Sequence, residues 1–125
     1  MVPDDRKYSQ EHEWVQIEGD TGVVGVTDFA ASELGDVVFV ELPEPGSEFS
    51  QGDTVGTIES VKAVADLYLP ISGEIVEVNQ DVVDSPELVN KDPMDGGWLL
   101  KVKLSDPGEL DQLLDAAGYS ELTGG

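Results

Sequence analysis

A series of short runs of alternating or β-branched apolar residues, each closed by a glycine or proline turn, limits this chain to a strand-rich fold. Residues 14–18 alternate and end at Gly19-Asp20. Residues 23–26 are a short apolar run. Residues 37–42 are β-branched and aromatic and stop at Pro43-Glu44-Pro45-Gly46. Segments 53–61 and 63–69 flank Lys62, and 73–78 follows as another strand. In the last run, Trp98, Leu100, Val102 and Leu104 are predicted to share a buried face, with Lys101 and Lys103 on the other. Helix signals are fewer. Thr27 or Asp28 caps a helix over 27–34 that Gly35 stops, and Pro86 opens one turn over 85–90. A C-terminal helix is expected from Asp106 as cap and Pro107 as first residue, with Leu110, Leu113, Leu114 and Ala117 as its stripe and Gly118 as its end. The expected fold is mostly β with short peripheral helices and a C-terminal helix.

The chain has 125 residues, which suits one domain over 1–125, with a core at about 8–119 and mobile flanks at 1–7 and 120–125. With no cysteine, a disulfide framework, a cysteine-ligated zinc and a thiol nucleophile are excluded. No DxDxDG-like loop is present, so no metal site is expected. No apolar run approaches the roughly 20 residues that span a bilayer, and the first residues read as neither a signal peptide nor an Arg-rich transit peptide. The 27 Asp and Glu face only 6 Lys and Arg, for a net charge of −21. That balance argues against nucleic acid and anionic membrane as partners, because both are bound through cations. It favours a soluble monomer that basic partner surfaces attract.

Between Tyr8 and Asn90 the only Lys or Arg is Lys62. Its neighbours are Val61 and Ala63, with Glu59 and Asp66 close by. A nucleophilic lysine needs burial or a nearby cation to lower its pKa, and this segment offers neither. Any chemistry at Lys62 therefore belongs to a group bonded to it. A weak internal echo points the same way. Gly35-Asp36-Val37-Val38-Phe39-Val40 parallels Gly73-Glu74-Ile75-Val76-Glu77-Val78, and two such β-units would be joined by a hairpin with Lys62 at its tip. His12 is the sole histidine; with no obvious nucleophile it is expected to be structural or on the surface. Trp14 and Trp98 are expected as core anchors, and Phe29 as core packing on the first helix.

The segment Gly56-Thr57-Ile58-Glu59-Ser60-Val61-Lys62-Ala63, followed by Asp66, Pro70 and Gly73, resembles the lipoyl attachment motif of the glycine cleavage H-protein family. Ser9 leading into His12-Glu13-Trp14-Val15, Gly25-Val26-Thr27-Asp28, residues 34–43, residues 70–79, Pro86-Glu87-Leu88-Val89-Asn90, Asp92-Pro93 and Gly97-Trp98-Leu99 are similar to the same family, in order, from about Tyr8 to Tyr119. The resemblance implies a barrel-sandwich hybrid of two small sheets. It implies (R)-lipoate in amide linkage on Lys62, with Glu59, Ser60, Val61 and Ala63 forming the attachment hairpin. The implied role is that of a non-catalytic carrier. Its arm accepts an aminomethyl group from a pyridoxal-phosphate-dependent glycine decarboxylase and delivers it to an aminomethyltransferase. Dihydrolipoamide dehydrogenase reoxidises the arm, and a lipoate ligase or lipoyl/octanoyl transferase attaches it. Glu13 and Asp66, with Glu11 nearby, match the positions expected to receive the cargo amine in a cleft, and Phe29 matches a wall of that cleft. Glu11 stands where some relatives carry serine. The implied location is the bacterial cytoplasm, or the mitochondrial matrix for a processed form.

Other readings remain at this point. A biotinyl carrier also presents a lysine on a hairpin, but methionines typically flank it, and here the methionines are Met1 and Met94. Lipoyl domains of 2-oxoacid dehydrogenases are shorter and lack the Trp14 region and the C-terminal helix. A lipoate relay to other proteins stays open as an additional role. A non-covalent acidic interaction module would need no modification of Lys62.

Overall fold

The computed structural model describes residues 4–123. In chain order these hold β1 (Lys7–Tyr8), β2 (Glu13–Glu18), β3 (Thr21–Val26), α1 (Asp28–Leu34), β4 (Val37–Glu41) and β5 (Glu48–Phe49). There follow β6 (Thr54–Ser60), β7 (Val64–Tyr68), β8 (Gly73–Val78), α2 (Gln80–Asp84), α3 (Leu88–Lys91) and β9 (Leu100–Leu104). A 3-10 helix (Pro107–Gln112) and α4 (Ala116–Thr123) end the described chain. The strands form a six-stranded sheet in the order β1-β2-β3-β9-β8-β5 and a three-stranded sheet in the order β4-β6-β7. Every pairing is antiparallel. Two small unclosed sheets with short outer helices make the barrel-sandwich arrangement that the family resemblance implied.

The main core lies between the sheets. Val15, Val24, Ile75, Leu100 and Val102 from the larger sheet meet Val40, Ile58 and Leu67 from the smaller. Burying each such side chain contributes roughly 1.5–3 kcal/mol. A second cluster of Tyr8, Trp14, Val23 and Tyr119 covers the other face of β2 and β3. Trp14 is fully inside, and its indole N–H donates to the Val26 carbonyl at 2.9 Å and the Pro93 carbonyl at 3.0 Å. Such a pairing is what a buried indole requires.

The structure corrects the sequence reading in several places. The single C-terminal helix is split: Leu114 exchanges both backbone hydrogen bonds with Tyr8, at 2.8 and 2.7 Å, and this bridge separates the 3-10 helix from α4. Gly118, expected to end that helix, sits inside α4. Trp98 precedes β9 and is half-buried against the second cluster, with the Lys101 ammonium 5.2 Å from its ring. It therefore does not share the face of Leu100 and Val102, which are both buried in the main core. The turn opened by Pro86 is one residue pair ahead of α3, which starts at Leu88. Helix α2, capped by the Asn79 side chain, and the two-residue strands β1 and β5 were not anticipated. They are too short to carry a periodicity. The two echoing segments lie in different sheets as β4 and β8. Of the flanks, residues 1–3 and 124–125 lie outside the described residues. Arg6 holds the Met94 carbonyl at 2.6 Å and lies 4.5 Å from the Trp14 ring centroid.

Candidate functional site

The β6–β7 hairpin places Lys62 at its tip. Ser60 organises the turn. Its N–H donates to the Ala63 carbonyl at 2.8 Å. Its Oγ accepts from the Ala63 N–H at 3.1 Å and, more weakly, from the Lys62 N–H at 3.4 Å. A hydroxyl folding back on its own turn is a local device that needs no tertiary partner. The Val61 N–H donates to the Asp36 carbonyl at 3.0 Å, which ties the tip to the segment before β4. Val61, Lys62 and Ala63 are all exposed, and among the described residues no hydrogen bond or ion pair engages the Lys62 ammonium.

The lysine stem has a defined bed. A Cβ placed on Gly35 would sit 3.2 Å from Lys62 Cε and 3.6 Å from Cδ, so the stem runs across this glycine. Gly35 also has φ 78°, a left-handed conformation that side chains resist. Asn90 from α3 holds the bed in place. Its Nδ2 donates to the Gly35 carbonyl at 2.7 Å, and its Oδ1 accepts from the Val37 N–H at 2.8 Å. An acyl group on Nζ would leave this bed intact and bury no charge, so the residues present fit an amide-linked arm.

At the other end of α1, about 10 Å away by helical rise, stands a wall of buried polar groups. Glu13 on β2 is only 2% exposed. Its Oε1 accepts from Ser9 Oγ at 2.7 Å, and its Oε2 accepts from the Tyr68 N–H on the free edge of β7 at 3.4 Å. Ser9 Oγ in turn accepts from the N–H groups of Glu11 at 3.2 Å and Glu13 at 3.1 Å. Burial, opposed by the bonds from Ser9 and Tyr68 and aided by the nearby Glu11 charge, pushes the Glu13 carboxyl up to about 7. Ser9, Glu11, Glu13 and Tyr68 line a cavity of about 200 Å³. A carboxylate has about four acceptor sites, so Glu13 retains capacity for a further donor.

His12 adopts φ 67° and is the only non-glycine residue with positive φ among the described residues. Its Nδ1 lies 2.8 Å from the Tyr119 hydroxyl, which is also 2.6 Å from Thr27 Oγ1. Thr27 caps α1 through the Ala30 N–H. The sole histidine is thus a structural residue, as expected. Phe29 is 37% exposed and its ring lies 4.7 Å from that of His12. It flanks the wall and is not part of the core, which corrects the packing expected for it from the helix pattern alone. Burial raises the pKa of Tyr119, whose ring stacks 4.8 Å from Tyr8.

Asp66 lies elsewhere. It pairs with Thr57, which pairs with Glu41, so these three share the outer face of the three-stranded sheet. Asp66 is exposed, and no hydrogen bond joins it to Glu13. The sequence pointed to Lys62, Ser60, Glu13 and Phe29. It missed Tyr119, Asn90 and the bonding role of Ser9, whose partners are set by packing. The motif residue Gly35 was legible as a helix stop, but nothing local linked it to the lysine stem.

A barrel-sandwich fold with an exposed lysine on a hairpin defines a carrier of the lipoyl-domain type. The family model for Glycine cleavage H-protein matches residues 6–124. The glycine cleavage system H protein of Symbiobacterium thermophilum is 59% identical over 98% of this chain and 95% of its own length. That of Carboxydothermus hydrogenoformans is 54% identical over 98% of this chain and 94% of its own length. A crystal structure of a glycine cleavage system H protein from Mycobacterium marinum superposes with a TM-score of 0.91, at 43% identity, covering 98% of this chain and 99% of that one. The chain belongs to the glycine cleavage H-protein family, whose members carry lipoate.

Proposed function

We propose that this chain, acting as one carrier domain, holds (R)-lipoate in amide linkage on Lys62 Nζ and ferries the aminomethyl group of glycine between the enzymes of the glycine cleavage system. The observation that carries the reading is the exposed, unpartnered Lys62 ammonium at the tip of a self-contained hairpin. When bound, lipoate supplies the dithiol–disulfide chemistry; the chain's own residues position and shelter. Ser60 holds the turn, with Glu59, Val61 and Ala63 shaping its shoulders. Gly35 and Asn90 direct the lysine stem toward α1.

Glu13, with Glu11 beside it, receives the protonated cargo amine. A buried ammonium without a counter-charge is costly, and Glu13 near its midpoint at neutral pH can become fully ionised when a cation arrives. Phe29 and His12 exclude water on one side. Asp66, on the outer sheet face, supplies a second carboxylate as the arm leaves the hairpin. The chain itself is non-catalytic and works in the bacterial cytoplasm. Its partners are the pyridoxal-phosphate-dependent glycine decarboxylase, the aminomethyltransferase, dihydrolipoamide dehydrogenase, and the ligase or transferase that attaches lipoate. The strong negative charge suits docking on basic rims of those enzymes.

The test is intact mass of the protein from cells with active lipoylation, followed by peptide mapping across residues 56–66. The added mass of one lipoyl amide on Lys62 is the expected result. An unmodified Lys62 where other lipoyl proteins are loaded would sink the reading.

A further inference from the structure

The outer face of the three-stranded sheet beside Lys62 carries large apolar side chains where solvent alone would favour polar ones. Val38 is 54% exposed, Phe39 45%, Val61 69% and Val64 67%. The register brings them together. Phe39 pairs with Glu59, and Glu59 pairs with Val64, so the three stand side by side on one face across β4, β6 and β7. A β-bulge on β4 falls between Val37 and Phe39. It sets Val38 and Phe39 opposite the single residue Glu59, so both turn outward where strict alternation would have buried one. Val61 and Val64 bracket the lysine turn itself. The next outward row along the strands is Glu41, Thr57 and Asp66, so carboxylates border the apolar group. The lysine-bearing surface therefore has two apolar flanks, Val38 with Phe39 and Val61 with Val64, on either side of Glu59, and a further acidic row beside them. Apolar groups of this kind, rimmed by polar residues, mark interaction sites.

We propose that Val38, Phe39, Val61 and Val64 form the docking surface for the enzyme that acylates Lys62. The proposal rests on Lys62 being the attachment residue. Reach selects this occupant among the enzymes of the system. To form the amide, an acylating enzyme must bring its acyl carbon to bonding distance of Nζ. Its surface then lies directly against the side chains that flank the turn. Enzymes that act on the far end of a finished arm have no such requirement, because the arm's length lets them work without touching the turn. Glu59 between the apolar flanks, the acidic row beside them and the chain's net charge of −21 call for a matching surface that sets Lys/Arg among apolar contacts. The bulge supplies the specificity, because it adds Phe39, an aromatic of the type that anchors interfaces.

The experiment is acylation of purified unmodified protein by a lipoate–protein ligase with ATP and lipoate, followed by intact mass. Rates are compared for wild type, Phe39→Ser, Val64→Thr and, as an exposed apolar control on the other sheet, Val76→Ser. Circular dichroism and Tm verify that each variant is folded. The expected result is a rise in the ligase KM of about tenfold for Phe39→Ser, with kcat little changed. Val64→Thr, which keeps the β-branched shape, shows a smaller rise, and Val76→Ser shows none. Unchanged KM for both Phe39→Ser and Val64→Thr, with wild type acylated normally, overturns the docking surface. Wild type that is never acylated at Lys62 overturns the carrier reading instead. The variants are then driven to full lipoylation with excess ligase and assayed with dihydrolipoamide dehydrogenase. Turnover that falls there as far as acylation does would show a surface shared by all arm-using enzymes, and the assignment to the acylating enzyme would be wrong.

Discussion

The two ends of α1 are built in opposite ways. At the Lys62 end, a turn is held by one hydroxyl and a few backbone bonds, and its side chains face water. At the Glu13 end, two hydrogen-bonded groups lie within or beside the core: the Glu13 carboxylate with the Ser9 hydroxyl, and the His12 imidazole with the Tyr119 hydroxyl, which also meets that of Thr27. The contrast separates what is chemically altered from what must stay fixed. A side chain that is to be acylated and then swing must contribute little to stability. A group that is to meet a cation away from water must be preorganised by its neighbours, and removing any neighbour costs folding energy.

The comparison breaks most sharply with Lys62→Arg. Loss of lipoylation and of glycine cleavage activity should be complete, while stability changes by less than about 0.5 kcal/mol, as for exposed sites generally. Mass spectrometry and a thermal melt check both halves. A Tm drop of several degrees would show that the tip is structural after all. Between tip and wall, Gly56→Ala tests the smaller sheet, since its Cβ would run into the Glu41 carbonyl of β4. We expect a loss of about 3 kcal/mol, measured by urea unfolding.

Glu13→Gln sharpens the wall's side of the contrast. The folded-state pKa of Glu13, about 7, lies above the ordinary carboxylate value. The folded state therefore holds more protons than the unfolded state between the two values, and stability falls as pH rises through that window. Between about pH 5 and about pH 8 the wild type should lose on the order of 3 kcal/mol relative to Glu13→Gln. Parallel stability curves for the two proteins would refute a buried, protonated Glu13. The smallest effect is expected for Tyr119→Phe. It removes the hydroxyl shared by His12 and Thr27 and should cost about 1–2 kcal/mol. Amide exchange should quicken at the start of α1, while the Lys62 turn keeps its protection.

Much of the fold was legible because strand signals are local. Alternation in 14–18 and the β-branched run at 37–42 each predict their own strand, and β8 has the bounds read for it. Thr27 or Asp28 was read as the cap and Gly35 as the stop from residue type alone; the structure selects Thr27 and keeps Gly35. The misread places are those where a distant partner overrides the local pattern. The apolar stripe through Leu113 and Leu114 suits a helix, yet Leu114 gains more by pairing with the edge of β1. Trp98 fits the alternation of β9, yet it turns to the second cluster, where Met94 and Trp14 lie.

By itself, the sequence determined the strand-rich class, the isolation of Lys62 on a turn, and the family motif around it. These depend on residue types and short spacings, which any conformation of the chain preserves. Only the tertiary structure decided that Gly35 lies beneath the lysine stem, that a bulge turns Val38 and Phe39 both outward, and that Glu13 is buried with a carboxyl near neutrality. Each of these depends on groups far apart in the chain, such as Glu13 and Tyr68, 55 residues apart, or His12 and Tyr119, 107 apart. Burial and pairing of that kind arise only when packing brings the segments together, because desolvation and cross-strand register belong to the assembled core and to no single stretch of sequence.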